Sequence, residues 1–484
     1  MKRLLALLSI AVAGLAAAAD EAVRVLDDAQ FALVGVDLID GTGAPLRPDM
    51  TVVVRDGRIA AVGPRATTPV PDGARAIELA GHVLTPGFVL MHEHLFYPVS
   101  YSPRGFAYTN IGSAFESFPA LYLAGGATTI RTAGSVSPYA DVNARDAVRA
   151  GRQWGPDMAL TAPFVNGPQL MFMQMRNLRT PAEVARFVAH WHGQGMDSFK
   201  AYMSLQPAQL GALVRAAHQR GAKVTGHLCA TSYEEAARLG IDNLEHGFWA
   251  ATDFMARRTP GECDFGAAWQ SLEALQPDDP RIDRLIRLLV QRKVALTSTP
   301  AVLEPYDGAD GEAGHDHGAA PGLCVLAPLL RDAVIAGARE RSAQQSDAQR
   351  ARRQALSDKM LALELRFAAA GGLLMLGTDP TGDGHVVPGY GGLRAMQLLQ
   401  RAGLAPEQVV KVASLNGATY LGRQREIGSV EPGKRADLVL LRRDGAATAI
   451  DLWSMPQLRW VFKAGVAHDA AALVRSVEGM AGLR

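Results

Sequence analysis

Residues 87–95 read GFVLMHEHL, an apolar run that ends in two histidines at i and i+2. In an extended strand alternate side chains share a face, so His92 and His94 point together while Glu93 points the other way. The same pattern, an apolar run closed by a polar residue, recurs along the chain: DSFK ends on Lys200, KVTGH on His227, NLEH on His246 and LLMLGTD on Asp379. ATTIRTA and VALTSTP are further runs of this type, and helical segments such as PAEVARFVAHWHGQ and QPAQLGALVRAAHQRG separate them. This is the βαβ rhythm of a parallel sheet, and hence an α/β fold class. Seven such strands without a GxGxxG opening favour a closed (β/α)8 TIM-like barrel over an open dinucleotide-binding sheet. In a barrel the C-terminal strand ends meet at one mouth, so residues far apart in sequence can share a site.

On either side of this region the pattern changes to short strands and hairpins. Residues 31–62 (FALVGVDLIDGTGAPLRPDMTVVVRDGRIAAV) are punctuated by GTG and RDGR, and strand signals return in IGSVEPGKRADLVLL and QLRWVFKAGV. The expected organisation is a composite β domain from residues 30–84 and 425–470 around a barrel domain at 85–424. Residues 305–320 (PYDGADGEAGHDHGAA) read as a surface insertion, and residues 330–369 as charged helix with a solvated face. Within the insertion His315 and His317 form a second HxH, but without companion ligands.

Met1–Ala19 has the form of a signal peptide, with Lys2 and Arg3 before an apolar stretch and Ala17–Ala19 as the cleavage site. The expected product is therefore exported, periplasmic or secreted, with no stable membrane span after cleavage. The whole chain carries 49 Lys and Arg against 48 Asp and Glu. A polyanion partner such as nucleic acid needs uncompensated cations, so that class is set aside in favour of a small-molecule substrate. Monomer and homo-oligomer both stay open. Three cysteines exclude a disulfide scaffold; a single bond, with Cys263–Cys324 as one candidate pairing, and three free thiols are both compatible with the spacing.

Four histidines and a carboxylate form a nitrogen and oxygen donor set that suits Zn²⁺, and also Mn²⁺, Co²⁺ or Ni²⁺. Lys200 adds a further option. In a desolvated, cationic pocket its neutral amine can take up carbon dioxide and become a carbamate, an anion able to bridge two metals ~3.5–4 Å apart. Two divalent metal ions acidify a shared water, and the resulting hydroxide is the expected nucleophile. No GxSxG elbow is present to suggest a serine hydrolase.

Taken together, His92-x-His94, Lys200, His227, His246 and Asp379, with the closing IGSVEPGKRADLVLL, resemble the amidohydrolase superfamily of metal-dependent hydrolases, closest to its imidazolonepropionase-like and prolidase-like branch. The resemblance covers roughly residues 31–466. It implies a distorted (β/α)8 barrel with a small β-sandwich built from both chain ends. It also implies that His92, His94 and Asp379 bind the more buried metal, that His227 and His246 bind the more exposed one, that carboxylated Lys200 bridges them, and that Asp379 is the catalytic proton carrier. One position departs from the family: the acidic residue usual two before the first histidine is Leu90 here.

The lysine-bearing members of that family include dipeptidases and N-acyl amino acid hydrolases, so cleavage of an amide or peptide C–N bond is the expected reaction. Alternatives are a mononuclear deaminase or cyclic-amide hydrolase with Lys200 an ordinary amine, a lactonase, a phosphotriesterase, and an exported metal-containing binding protein without turnover. Candidate substrate contacts are Arg131 at the end of ATTIR, Tyr202 on the strand face of Lys200, and His385 in the loop after Asp379. For Arg131 an ion pair with a barrel acid is an equal reading.

Overall fold

The computed structural model describes residues 23–101, 108–168, 173–304, 322–382, 385–443 and 451–482. The signal-peptide reading of residues 1–19, the insertion at 305–320 and the pair His315 and His317 lie outside them.

Eight short parallel strands carry the central layer: β1 (Phe88–Glu93), β2 (Ala127–Thr132), β3 (Asp157–Ala159), β4 (Ser198–Ala201), β5 (Lys223–Gly226), β6 (Asn243–Glu245), β7 (Ala295–Ser298) and β8 (Leu374–Leu376). The first three pair as β3-β2-β1, and the last five pair in sequence order. Most residues of these strands are buried, which is why they read as apolar runs without polar alternation. Backbone contacts link the two groups at both ends. Ala162 N donates to Ser198 O at 2.9 Å, and Asp379 N donates to His92 O at 2.8 Å. The arrangement is TIM-barrel-like.

Helices between the strands bury one stripe each. In Pro280–Gln291 the buried residues are Ile282, Leu285, Ile286 and Leu289, the i, i+3, i+4, i+7 spacing of an amphipathic helix. Thr180 with Glu183, and Ser232 with Glu235, form capping boxes that start the helices Pro181–Gly193 and Tyr233–Leu239. No helix among the described residues is long and apolar enough to cross a membrane.

A separate nine-stranded mixed sheet draws on both chain ends. Its junction is the antiparallel pair His82–Pro86 with Leu438–Arg442, and Gly87 N then donates to Asp437 O at 2.8 Å as the chain enters β1. Its outermost pair joins Arg24–Leu26 to Val466–Asp469. This sheet packs around its own apolar cluster, including Phe31, Val52, Leu84, Leu438 and Phe462, and it anchors the start of the strand that bears the two histidines.

Candidate metal centre

The polar strand ends come together. His92 Nε2 and His94 Nε2 lie 3.5 and 3.2 Å from Asp379 Oδ1, and His246 Nδ1 lies 3.7 Å from Asp379 Oδ2. The His92 and His246 ring centroids are 4.6 Å apart, and those of His227 and His246 are 4.5 Å apart. His92, His94 and Asp379 bring their candidate ligand atoms within 4.8 Å of one another. Lys200, fully buried on β4, has its Nζ 3.7 Å from Glu245 Oε1 and no hydrogen-bond partner among the described residues.

Local backbone explains how neighbouring residues reach one site. His246 and Asp379 both adopt left-handed φ, 63° and 51°, a strained conformation that persists only where surrounding contacts enforce it. For His246 those contacts are Thr299 Oγ1, 2.8 Å from its Nδ1, and the following peptide, where Gly247 N donates to Thr297 O and Tyr233 OH donates to Gly247 O. Breaking strand alternation at this point lets Glu245 and His246, adjacent in sequence, both face the site. Gly377 serves Asp379 similarly: a Cβ there would collide with the His92 backbone and side chain, so only glycine allows β8 to close onto β1.

The donors suit a divalent cation. Burial pushes the imidazolium forms of His94 and His246 down, and that of His227 down to about 3, leaving neutral rings able to offer a lone pair. Buried His94 Nδ1 finds no partner among the described residues. Burial works to raise the Asp379 carboxyl, but His92 and His94 hold it well below the usual range, so it is an anion. Burial pushes the Lys200 amine down to about 8 against the pull of Glu245.

Glu245 is the residue that strand-end reading missed. It is fully buried, accepts from His92 Nδ1 at 2.8 Å and Arg131 Nη2 at 2.7 Å, and also accepts from Thr225 Oγ1. Arg131 foremost, with Lys200 and His92, overcomes burial and holds the Glu245 carboxyl well below its usual range. The support for the first histidine that Leu90 lacks the chemistry to give comes from this carboxylate. Glu93, as expected, turns elsewhere and accepts from Thr378 N at 2.9 Å.

The structure decides two readings that the sequence leaves open. Of the two readings of Arg131 the ion pair is the one observed, and the substrate contact is corrected: the residue is completely buried, bound to Glu245 and to Met91 O, and stacked 5.5 Å over the Tyr420 ring. The desolvated carboxylate of Glu245, reaching it from β6 across the interior of the strand layer, is its partner. The disulfide joins Cys229 to Cys263, with Cα atoms 5.1 Å apart, and leaves Cys324 free, so the candidate pairing of Cys263 with Cys324 is corrected. Cys229 lies in the loop after β5, which brings it to Cys263. Tyr202 stands beside the site with its ring 5.0 Å from His227. His385 is nearly buried at the end of its loop with Nε2 2.9 Å from Arg341 Nη2. Burial, with Arg341 and Arg353 nearby, pushes its imidazolium down to about 3.

Glu364 packs behind the site on helix Asp347–Ala369, its carboxyl against Gly247, next to His246. Burial pushes that carboxyl up to about 8 against the opposing pull of the Ser298 hydroxyl. The folded protein therefore keeps a proton that the unfolded chain loses near ~4.3, so this contribution to stability is complete below that value and is lost as pH rises through the folded one. Glu364→Gln fixes the neutral form. Thermal unfolding of the variant should show a shallower loss of Tm between pH 5 and pH 8 than the parent; parallel curves would contradict the assignment.

The amidohydrolase family model matches residues 312–466. An imidazolonepropionase from Acidiphilium cryptum is 40% identical over 82 residues, 16% of this chain and 20% of that protein, so the chain spans about a fifth of this curated relative. Over nearly the whole chain, the solved structures of bottromycin amidohydrolase and of a Xaa-Pro dipeptidase with bound methionine in the active site are similar in fold. The first has a TM-score of 0.65 at 24% identity, covering 93% of this chain and 89% of that one. The second has a TM-score of 0.63 at 16% identity, covering 91% and 100%.

Proposed function

The chain belongs to the amidohydrolase superfamily, and from that premise we propose that it is a metal-dependent hydrolase of C–N bonds that cleaves an amide or peptide, such as a dipeptide or an N-acyl amino acid. The observation that carries this reading is the convergence of His92, His94, His227, His246, Lys200 and Asp379 from five separate strand ends. In this proposal His92, His94 and Asp379 hold one divalent cation, probed first as Zn²⁺, and His227 and His246 hold a second. Lys200, once carboxylated by carbon dioxide, would be the residue that serves both. When bound, such cations supply Lewis acidity that activates water and polarises a carbonyl oxygen.

The chain's own groups complete the chemistry. Asp379 is ionised and in contact with three imidazoles, so it can accept a proton from the attacking water and return it to the leaving nitrogen. Buried His92, His94 and Lys200 keep bulk water from the inner end of the site. The prolidase-type and amidohydrolase fold likeness supports an amide substrate. Residues 85–424 are read as a (β/α)8 barrel, and residues 30–84 and 425–470 as one β-sandwich domain. The Cys229–Cys263 bond is of the kind that oxidising compartments sustain, which supports export under the 1–19 signal.

A mononuclear cyclic-amide hydrolase or deaminase is favoured by one observation. Among the described residues only His92, His94 and Asp379 already bring three ligand atoms together, and Glu245 can neutralise Lys200 as an ordinary amine. Metal analysis after chelation and Zn²⁺ reconstitution, followed by a screen of dipeptides, N-acyl amino acids, lactones and phosphotriesters, separates the readings. Two metals per chain with amide turnover is the expected result. A preference for phosphotriesters, or one metal with full activity, would replace it.

A further inference from the structure

We infer that the site selects amides whose group next to the scissile bond is apolar, aromatic above all, and that Phe96, Phe164, Met175 and Tyr202 form the wall that receives it. This rests on the hydrolytic reading above. Aromatic rings run without a break across one side of the centre. His94 and Phe96 have centroids 4.5 Å apart, Phe96 and Phe164 6.2 Å, Phe164 and Tyr202 5.4 Å, and Tyr202 and His227 5.0 Å. The wall therefore joins a histidine that touches Asp379 to His227, which the proposed function gives to the other cation.

Its place in the fold fits a binding role. Phe96 follows β1, Val136 follows β2, Phe164 follows β3 and Tyr202 follows β4. Loops after parallel strands are where this architecture meets its ligands. The cluster is distinct from the main core: Phe96, Phe164 and Met175 are its buried part, and Tyr202, Ile111 and Val136, only partly buried, form its outer edge.

The wall's chemistry is one-sided. None of its residues is charged. Buried Asn166 beside it is committed, with Oδ1 accepting from Ser204 N and Ser204 Oγ at 2.8 Å each and Nδ2 turned to Met175 Sδ. A charged group laid here would lose hydration with no counter-charge from the wall, whereas an apolar one gains from leaving water. Differences of a side chain in such a pocket change kcat/KM by about 10- to 100-fold.

The experiment uses the full, Zn²⁺-loaded protein with dipeptide pairs that differ at one position: Phe-Ala and Ala-Phe, each against Ala-Ala, and Asp-Ala and Ala-Asp as charged controls. At least one phenylalanine peptide should exceed Ala-Ala in kcat/KM by ~10-fold or more, with the aspartate peptides poorest. Phe164→Ala and the milder Phe164→Leu should shrink the Phe-to-Ala ratio by ~10-fold and by less, respectively. A ratio of kcat/KM values does not depend on how much of a variant is folded. Turnover of all peptides at similar rates, or a ratio untouched by both variants, overturns the wall as the selector while leaving amide hydrolysis standing. Turnover of none of them overturns this inference together with the dipeptide form of the proposed function, and leaves the N-acyl amino acid form to the screen above.

Discussion

Replacing Lys200 by alanine is expected to lower kcat/KM by on the order of 10³-fold and to reduce bound metal from two ions per chain to one. The expectation follows from where the amine sits. It is fully buried, 3.7 Å from Glu245 and without a hydrogen-bond partner among the described residues. A primary amine left in that state is costly unless something covers it. Burial brings it down to about 8, so near neutral pH a useful fraction is uncharged and can react with carbon dioxide. The carbamate so formed would supply two oxygens to the cluster. Alanine removes that anion and leaves space behind. A short carboxylate such as acetate or propionate can fill the space and restore part of the activity. Lys200→Arg keeps the charge and length but forms no carbamate, so it should stay inactive with or without acetate. Metal content by atomic absorption and turnover with added acetate are the two readouts. Full metal content with near-parental turnover in Lys200→Ala would sink the bridge and favour the mononuclear site.

The strand-end residues were legible in the sequence because each ends its own apolar run. A buried parallel strand leaves few polar positions, so His92, Lys200 and Asp379 stand out against Val, Leu and Phe. The parallel layer and the joining of both chain ends in one sheet follow from the same patterning. Glu245 was hidden for a related reason. Strand periodicity assigns one of two adjacent residues to each face, and His246 had claimed the inner one; the left-handed turn at His246, φ 63°, breaks that rule and brings both inside. For Arg131 the strand-end position allowed both a substrate contact and an ion pair with a barrel acid, and the carboxylate that decides for the ion pair is 114 residues away in sequence. The pairing of Cys229 with Cys263 depends on the path of the chain after β5, about which the spacing of three thiols carries no information.

Glu245→Gln should weaken Zn²⁺ binding by about 10- to 100-fold and lower the unfolding temperature as well, through two different contacts. A carboxylate only accepts hydrogen bonds, so its 2.8 Å contact makes His92 Nδ1 the donor and turns the lone pair of Nε2 toward Asp379. Glutamine can still accept through its amide oxygen, but as a neutral group it holds the ring in that orientation less strongly. On its other side Glu245 pairs with Arg131, both fully buried. The substitution strands that guanidinium, and breaking one partner of a buried pair costs about 3–5 kcal/mol. Arg131→Met alone strands the carboxylate and should destabilise by a similar amount. The double variant, Arg131→Met with Glu245→Gln, removes both charges and should recover much of the stability while the affinity for Zn²⁺ stays low. Competition against a chromogenic chelator reads the first quantity and thermal unfolding of the metal-free protein reads the second. If affinity returned together with stability in the double variant, Glu245 would act only through the fold. Recovery of stability alone assigns it the orientation of His92.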